Sequence, residues 1–197
     1  MRRLLPLVSV PLLISACSGG SAPSQEEISK ALSERVHGKG CASSVLFKQF
    51  PIPATTASSN THITKPFQDI GFISETDGSY ALTEKGKAAY DVEHSGFCYT
   101  ESYTISDVKV TGEESGNELP QALSGAWTVS FQIAPSNVDD WVKNPEIINA
   151  ASLASLEKIT QPKRYTVRVA RKKGEDALFV ADPTFSFTPG IHFNMGF

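Results

Sequence analysis

The 197-residue chain lacks a strong excess of charge of either sign, with 18 Lys and Arg against 21 Asp and Glu. This balance excludes a basic nucleic-acid-binding protein. A hydrophobic fraction of 40% excludes a disordered tail. Only one apolar run, at the N-terminus, approaches the length of a membrane span, which excludes a protein with several spans. The composition is that of an ordinary folded protein with room for one domain or two small ones.

Common catalytic and metal-binding motifs are also missing. There is no G-x-S-x-G, H-E-x-x-H, P-loop or EF-hand pattern. The histidines are scattered, and none has the spacing of a metal ligand within one element: His37, His62, His94 and His192. Neither Cys41 nor Cys98 lies in a C-x-x-C motif, and we find no histidine with ligand-like spacing to them. We therefore expect no enzymatic activity, no cofactor and no metal site.

The N-terminal segment has the pattern of a secretory signal. Residues 1–17, MRRLLPLVSVPLLISAC, contain two arginines, an apolar stretch and small residues before a cysteine. The stretch is too short and too interrupted by proline for a transmembrane helix. Its last four residues, Ile14 to Cys17, resemble the lipobox of bacterial lipoproteins. The resemblance implies cleavage after residue 16 and acylation of Cys17; the alternative is an ordinary signal peptide with an incidental cysteine.

A lipoprotein of this kind is anchored to the bilayer through the acyl chains, such as palmitate, on Cys17 and does not span it. In that family an aspartate after the cysteine commonly retains the protein at the inner membrane. Ser18 occupies the position here, so the resemblance implies the outer membrane, facing the periplasm. Residues 17–23 have the composition of a flexible tether. Removal of residues 1–16 leaves 16 basic and 21 acidic residues, a formal charge of −5, so we expect no nucleic-acid partner.

The remaining two cysteines form an even pair in an oxidising compartment. If lipid occupies Cys17, Cys41 and Cys98 are left, and we predict a disulfide between them. The disulfide would close a loop of 57 positions. A buried pair of free thiols and a metal site are the alternatives.

The first part of the mature chain, residues 24–95, is predicted to be a small α+β module. Ser24 and Glu27 form a capping-box pattern that predicts a helix over about residues 25–37. Its apolar positions recur on one face: Ile28, Ala31, Leu32 and Val36.

Residues 62–90 predict a helix ended by Gly71, a hairpin with an Asp77-Gly78 turn, and a second helix capped by Thr83. This succession resembles the end of winged-helix domains. Residues 24–90 contain seven basic and seven acidic side chains. The module is therefore expected to serve packing or protein contact, and not DNA binding. The alternative is a simple hairpin followed by a capped helix.

The second part, residues 96–197, is predicted to be an antiparallel sheet with one helical region. Strand patterns cover residues 99–110, 127–133, 164–171 and 177–181, with Trp127, Val129, Phe131 and Ile133 on one face. Apolar positions over residues 139–159 predict a helical region that covers this face. The two parts are separate modules or one unit joined by the disulfide. The expected fold class is α+β.

One basic cluster departs from the acidic character of the chain. It comprises Lys163, Arg164, Arg168, Arg171, Lys172 and Lys173. Such a cluster can contact anionic lipid headgroups or an acidic partner. The alternative is a solvated strand edge whose charges prevent aggregation.

The functional hypothesis is a membrane-anchored periplasmic lipoprotein that acts as a non-enzymatic binding or scaffold protein in the bacterial envelope. Its expected partners are the bilayer, through Cys17, and an envelope protein. Two alternatives stay open: a periplasmic immunity or hydrolase-inhibitor lipoprotein, and an enzyme whose site is not recognised in the sequence.

Overall fold

The computed structural model describes residues 22–114, 119–151 and 161–195. They form an α+β fold, as predicted, with three sheets. The helices are α1 (Gln25–Ser33), α2 (Ala54–Ser58), α3 (Thr61–Asp69), α4 (Glu84–Ala89) and α5 (Pro145–Ala150), with 3₁₀ turns at Val45–Lys48 and Asp140–Lys143. The strands are β1 (Gly40–Ser43), β2 (Ile52–Pro53), β3 (Ile73–Thr76), β4 (Ser79–Leu82), β5 (Tyr90–Asp91), β6 (Gly96–Thr100), β7 (Tyr103–Glu114), β8 (Leu123–Pro135), β9 (Lys163–Lys172), β10 (Leu178–Val180) and β11 (Ile191–His192).

The predicted signal segment, Cys17 and all but the last two residues of the predicted tether lie outside the described residues. Within the described part of the chain, no helix is both long and apolar enough to cross a membrane.

The first sheet has the order β11–β1–β6–β5. Its outer strand β11 pairs in parallel with β1, and the other pairs are antiparallel. The sheet thus combines strands from both sides of residue 95, where the sequence analysis placed a module boundary. The assignment of two modules stays a prediction.

The second sheet has the order β2–β4–β3, and its strands β3 and β4 lie within residues 62–90. Helix α3, the β3–β4 hairpin and α4 follow one another as predicted, and Asp77 and Gly78 form the turn with positive φ angles. The Thr83 hydroxyl accepts a hydrogen bond from the Gly86 N–H, which caps α4. These local predictions are confirmed, whereas the resemblance to winged-helix domains stays a prediction.

An aromatic core lies between the first sheet, α3, the β3–β4 hairpin and the region of residues 140–151. Its centre is Phe97 on β6, a fully buried residue whose ring contacts other rings on several sides. These neighbours are Phe47, Phe50, Phe67, Phe72 and Tyr90. The core thus connects the first sheet to α3, to the β3–β4 hairpin and to the region of residues 140–151.

The third sheet, of order β10–β9–β8–β7, has its own core against α1. The strand face predicted from alternation is confirmed, since Trp127, Val129, Phe131 and Ile133 are all buried. Helix α1 begins with the predicted capping box and inserts Ile28, Ala31 and Leu32 into this core. Glu27 of the capping box also pairs with Arg171 on β9 at 2.6 Å, which ties the start of α1 to the sheet.

The described part of the predicted helical region, residues 139–151, does not cover this face. The 3₁₀ turn at Asp140–Lys143 and helix α5 contribute Val142 and Ile147 to the aromatic core instead. The rest of the predicted helical region, residues 152–160, lies outside the described residues. Periodicity identifies an apolar helix face but does not specify which sheet receives it.

Candidate functional site beside the Cys41–Cys98 disulfide

The disulfide predicted from the sequence is present. Cys41 on β1 and Cys98 on β6 are directly opposite each other in an antiparallel pair, and their sulfurs are bonded. The two residues differ in exposure, since Cys41 is 1% exposed and Cys98 is only partly buried. One sulfur-bearing side chain is therefore enclosed by the protein, while the other reaches a surface cavity.

A histidine accompanies the disulfide. His94 lies in the turn between β5 and β6, and one of its ring nitrogens lies within 4.8 Å of both sulfurs. The sequence analysis missed this association, because it found no histidine with ligand-like spacing to the cysteines. The available signal was the separation of four positions between His94 and Cys98. A turn that leads directly into the cysteine-bearing strand keeps such residues close together.

Asp91, the last residue of β5, orients the imidazole. Its Oδ1 accepts the His94 backbone N–H at 3.1 Å and lies 3.0 Å from Nδ1. The hydrogen bond from the His94 side chain is the main cause that lowers the pKa of Asp91 to about 2, and Lys39 contributes at 3.5 Å. Asp91 is thus a carboxylate near neutral pH and can only accept a hydrogen bond. Nδ1 must then carry the hydrogen, which leaves Nε2 free for other interactions.

The adjoining cavity, which we call the disulfide cavity, has a volume of about 340 Å³. Cys98 contributes to its wall together with charged side chains of both signs and three aromatic side chains: Lys39, Lys85, Asp91, Glu101, Asp139, Phe72, Tyr90 and Trp141. Trp141 is half-buried at this wall. Its Nε1 is itself buried and finds no acceptor among the described residues.

The chemistry of this group depends on the oxidation state of the two sulfurs. Cys41, Cys98 and His94 present three donor atoms close enough to hold one metal ion. Metals bind cysteine as the thiolate, and neither sulfur is a thiolate while the disulfide is intact. In the oxidised protein the group is therefore a disulfide next to an oriented imidazole.

The Asp91 carboxylate is expected to stabilise the fold in a pH-dependent way. Its pKa is lowered on folding, so its contribution is complete above about pH 4 and is lost as the pH falls towards 2. We expect Asp91→Asn to reduce the free energy of unfolding by about 1.5 kcal/mol at pH 6. Urea unfolding at several pH values should show this difference disappearing near pH 2. Glu93→Gln, an exposed change in the same turn, is the control; a constant Asp91→Asn effect over this range would contradict the prediction.

A second concave surface is lined in part by the 3₁₀ turn at Val45–Lys48, and we call it the proline groove. Its volume is about 630 Å³ and its lining is Val45, Leu46, Lys48, Gln49, Pro51, Ile52, Pro53, Thr56 and Met195. Val45 is 72% exposed, which is unusual for a valine next to a hydrophobic core. The groove thus presents apolar surface to solvent.

The basic cluster begins on β9, which pairs with β8 over residues 163–172 and with β10 only over residues 169–171. Lys163 and Arg164 therefore lie on a part of β9 that pairs with β8 alone among the described strands, and the alternative of a solvated strand edge stays open. Arg164, Arg168 and Arg171 pair with Asp107, Glu114 and Glu27, respectively. Because acidic side chains neutralise these three cations, β9 offers less positive charge to an anionic ligand than the sequence alone indicates.

Comparison with protein-family models, with curated proteins and with solved structures finds no match to this chain.

Proposed function

We propose that this protein is a lipid-anchored binding protein of the bacterial envelope, held at the periplasmic face of the outer membrane. The single observation that carries the proposal is the position of Cys17, directly after a charged segment, an apolar stretch and small residues. The Cys41–Cys98 disulfide supports it, because such bonds persist in oxidising compartments. The tether composition before α1 would let the folded part move away from the bilayer.

The binding role is supported by the proline groove. The groove exposes apolar surface, including Val45, to water. A partner that covers this surface removes it from water, and the hydrophobic effect makes that binding favourable. Prolines restrict the backbone around the groove, so little conformational entropy would be lost on binding. The proposed partner is a protein of the same envelope compartment that inserts apolar side chains into the groove.

Membrane attachment is expected to depend on one side chain. Cys17→Ala should abolish incorporation of radiolabelled palmitate and move the protein from the membrane to the soluble fraction of an expressing bacterium. Ser18→Asp should keep the label but shift the protein to inner-membrane fractions, and Ser18→Ala is its matched control. A Cys17→Ala protein that stays in the membrane fraction would contradict the proposed anchor.

Partner binding is expected to depend on the apolar surface of the groove. Val45→Glu should reduce recovery of a stoichiometric partner from solubilised envelope extract at least about tenfold, since it places a charge in the contact. Val92→Glu is the matched control because Val92 is also highly exposed, at 66%, but lies outside the groove. Mass spectrometry of crosslinked samples identifies the partner. Equal losses in both variants, or no loss in either, would contradict the groove as the binding surface.

A further inference from the structure

We propose that the Cys41–Cys98 disulfide is redox-active and exchanges with a dithiol partner through the sulfur of Cys98. The proposal adds a reaction to the binding role above and does not depend on the lipid anchor or on the proline groove. It rests on the unequal access to the two sulfurs and on the imidazole beside them.

Access selects Cys98 as the sulfur that is attacked. Exchange requires an incoming thiolate to approach one sulfur in line with the bond that breaks. Cys41 is almost completely buried, whereas Cys98 forms part of the cavity wall. A cysteine side chain that enters the cavity would meet Cys98 first, with Cys41 as the leaving group.

The group beside the sulfurs that can stabilise a thiolate product is the His94 imidazole. His94 lies within 4.8 Å of both sulfurs, and its orientation is held by Asp91. A protonated histidine or another cation beside a cysteine stabilises the thiolate relative to the thiol, and a stabilised thiolate is a better leaving group. Lys39 and Lys85 add positive charge to the cavity, and Asp91, Glu101 and Asp139 add negative charge. Any dependence of the exchange rate on pH reflects all these groups together with Tyr90 and the imidazole.

The reaction balances in two steps. A thiolate of the partner attacks Sγ of Cys98, so a mixed disulfide forms, the bond to Cys41 breaks, and the electron pair leaves on Sγ of Cys41 next to His94. The second thiolate of the partner then attacks the partner's own sulfur in the mixed disulfide and releases Cys98 as a thiolate. The partner dithiol is oxidised to a disulfide, and the disulfide of this chain is reduced to two thiols by the same two electrons.

The first experiment uses the wild-type disulfide with dithiothreitol as the dithiol. Cys17→Ala is present in the full chain in every sample, so that Cys41 and Cys98 are the only cysteines. New thiols are trapped with a maleimide and counted by intact mass over a series of guanidinium concentrations below the unfolding transition. We expect reduction without denaturant at a rate that the denaturant does not change. A rate that rises with the unfolded fraction shows that only unfolding exposes the bond, and this result would overturn the proposal.

The second experiment compares the two thiols one at a time. Cys41→Ala leaves Cys98 free, and Cys98→Ala leaves Cys41 free. Each variant is treated with an aromatic disulfide reagent, once folded and once unfolded in guanidinium. Dividing the rate of the folded protein by the rate of the unfolded protein removes the intrinsic difference in reactivity between the two thiols. The ratio for Cys98 is expected to exceed that for Cys41 at least about tenfold. Equal ratios in folded variants, as judged by circular dichroism, would refute the assignment of Cys98.

The role of the histidine is tested on the Cys41→Ala protein. Adding His94→Gln should slow the reaction of Cys98 about tenfold near neutral pH and change the pH profile of the rate. Asp91 acts as a positioning residue through His94, so Asp91→Asn should also change the pH profile. His62→Gln is the control, because His62 hydrogen-bonds the Asn194 carbonyl and does not line the cavity. Unchanged profiles in both the His94 and the Asp91 variants would exclude the imidazole from the reaction.

Discussion

Replacing Phe97 with alanine is expected to lower the free energy of unfolding by about 3–5 kcal/mol. The Phe97 ring is fully buried, and its centroid lies 4.8 Å from that of Phe67, 5.1 Å from Phe72 and 5.2 Å from Phe47. These neighbours belong to different elements, so they cannot all move into the space that the ring leaves. The cost therefore includes both the lost burial of the ring and a residual cavity.

Urea unfolding followed by far-UV circular dichroism measures this loss. Phe97→Leu, which keeps most of the volume, should lose less than Phe97→Ala because the remaining cavity is smaller. Val92→Ala is the surface control, and it should change the free energy of unfolding by less than about 0.5 kcal/mol. An effect of Phe97→Ala below about 1.5 kcal/mol would mean that the aromatic core adjusts around the missing ring, contrary to the packing described above.

Removing the disulfide is expected to cost about 4 kcal/mol in the chain-entropy description. The bond joins residues separated by 57 positions, so it greatly restricts the unfolded chain. The double variant Cys41→Ala, Cys98→Ala is the suitable test, because the site of Cys41 is apolar and buried, and an alanine there leaves no unpaired hydroxyl. The change should appear mainly as a lower urea midpoint.

The control is the wild-type chain unfolded with and without a reducing agent. Reduced wild-type protein and the double variant should have similar midpoints, both well below that of the oxidised protein. If the oxidised and reduced proteins unfold at the same urea concentration, the disulfide contributes nothing to stability. A small difference would also leave the redox role in place, since exchange depends on access to Cys98 and not on the stability that the bond provides.

The success of the sequence analysis in residues 62–90 has a local cause. Turn and cap signals act between residues a few positions apart: Asp77 and Gly78 form the hairpin turn, and Thr83 caps α4. Ser24 and Glu27 similarly determine the start of α1. The cysteine pairing was predictable for a different reason, because only two cysteines are left once Cys17 is assigned to lipid.

The sequence analysis did not predict the contacts between segments that are far apart in the chain. Helix α1 and the region of residues 139–151 both carry apolar positions, and nothing in their periodicity states that α1 packs on the third sheet. The segment of β9 has the pattern of a charged strand, and only the structure shows that β8 pairs with residues 163–172 whereas β10 pairs with residues 169–171 alone. Pairing between distant strands is decided by the combined burial of many side chains, which no short window of sequence contains.

The sequence by itself determined the α+β class, the local helices and turns, the cysteine pair and the lipobox-like segment that underlies the proposed anchor. The tertiary structure alone decided that Cys41 is enclosed and Cys98 accessible, that Asp91 and His94 lie beside their bond, and that a cavity opens there. The reason is physical. Caps, turns and residue counts follow from neighbours in the chain, whereas exposure and electrostatic surroundings arise only after distant elements have packed together.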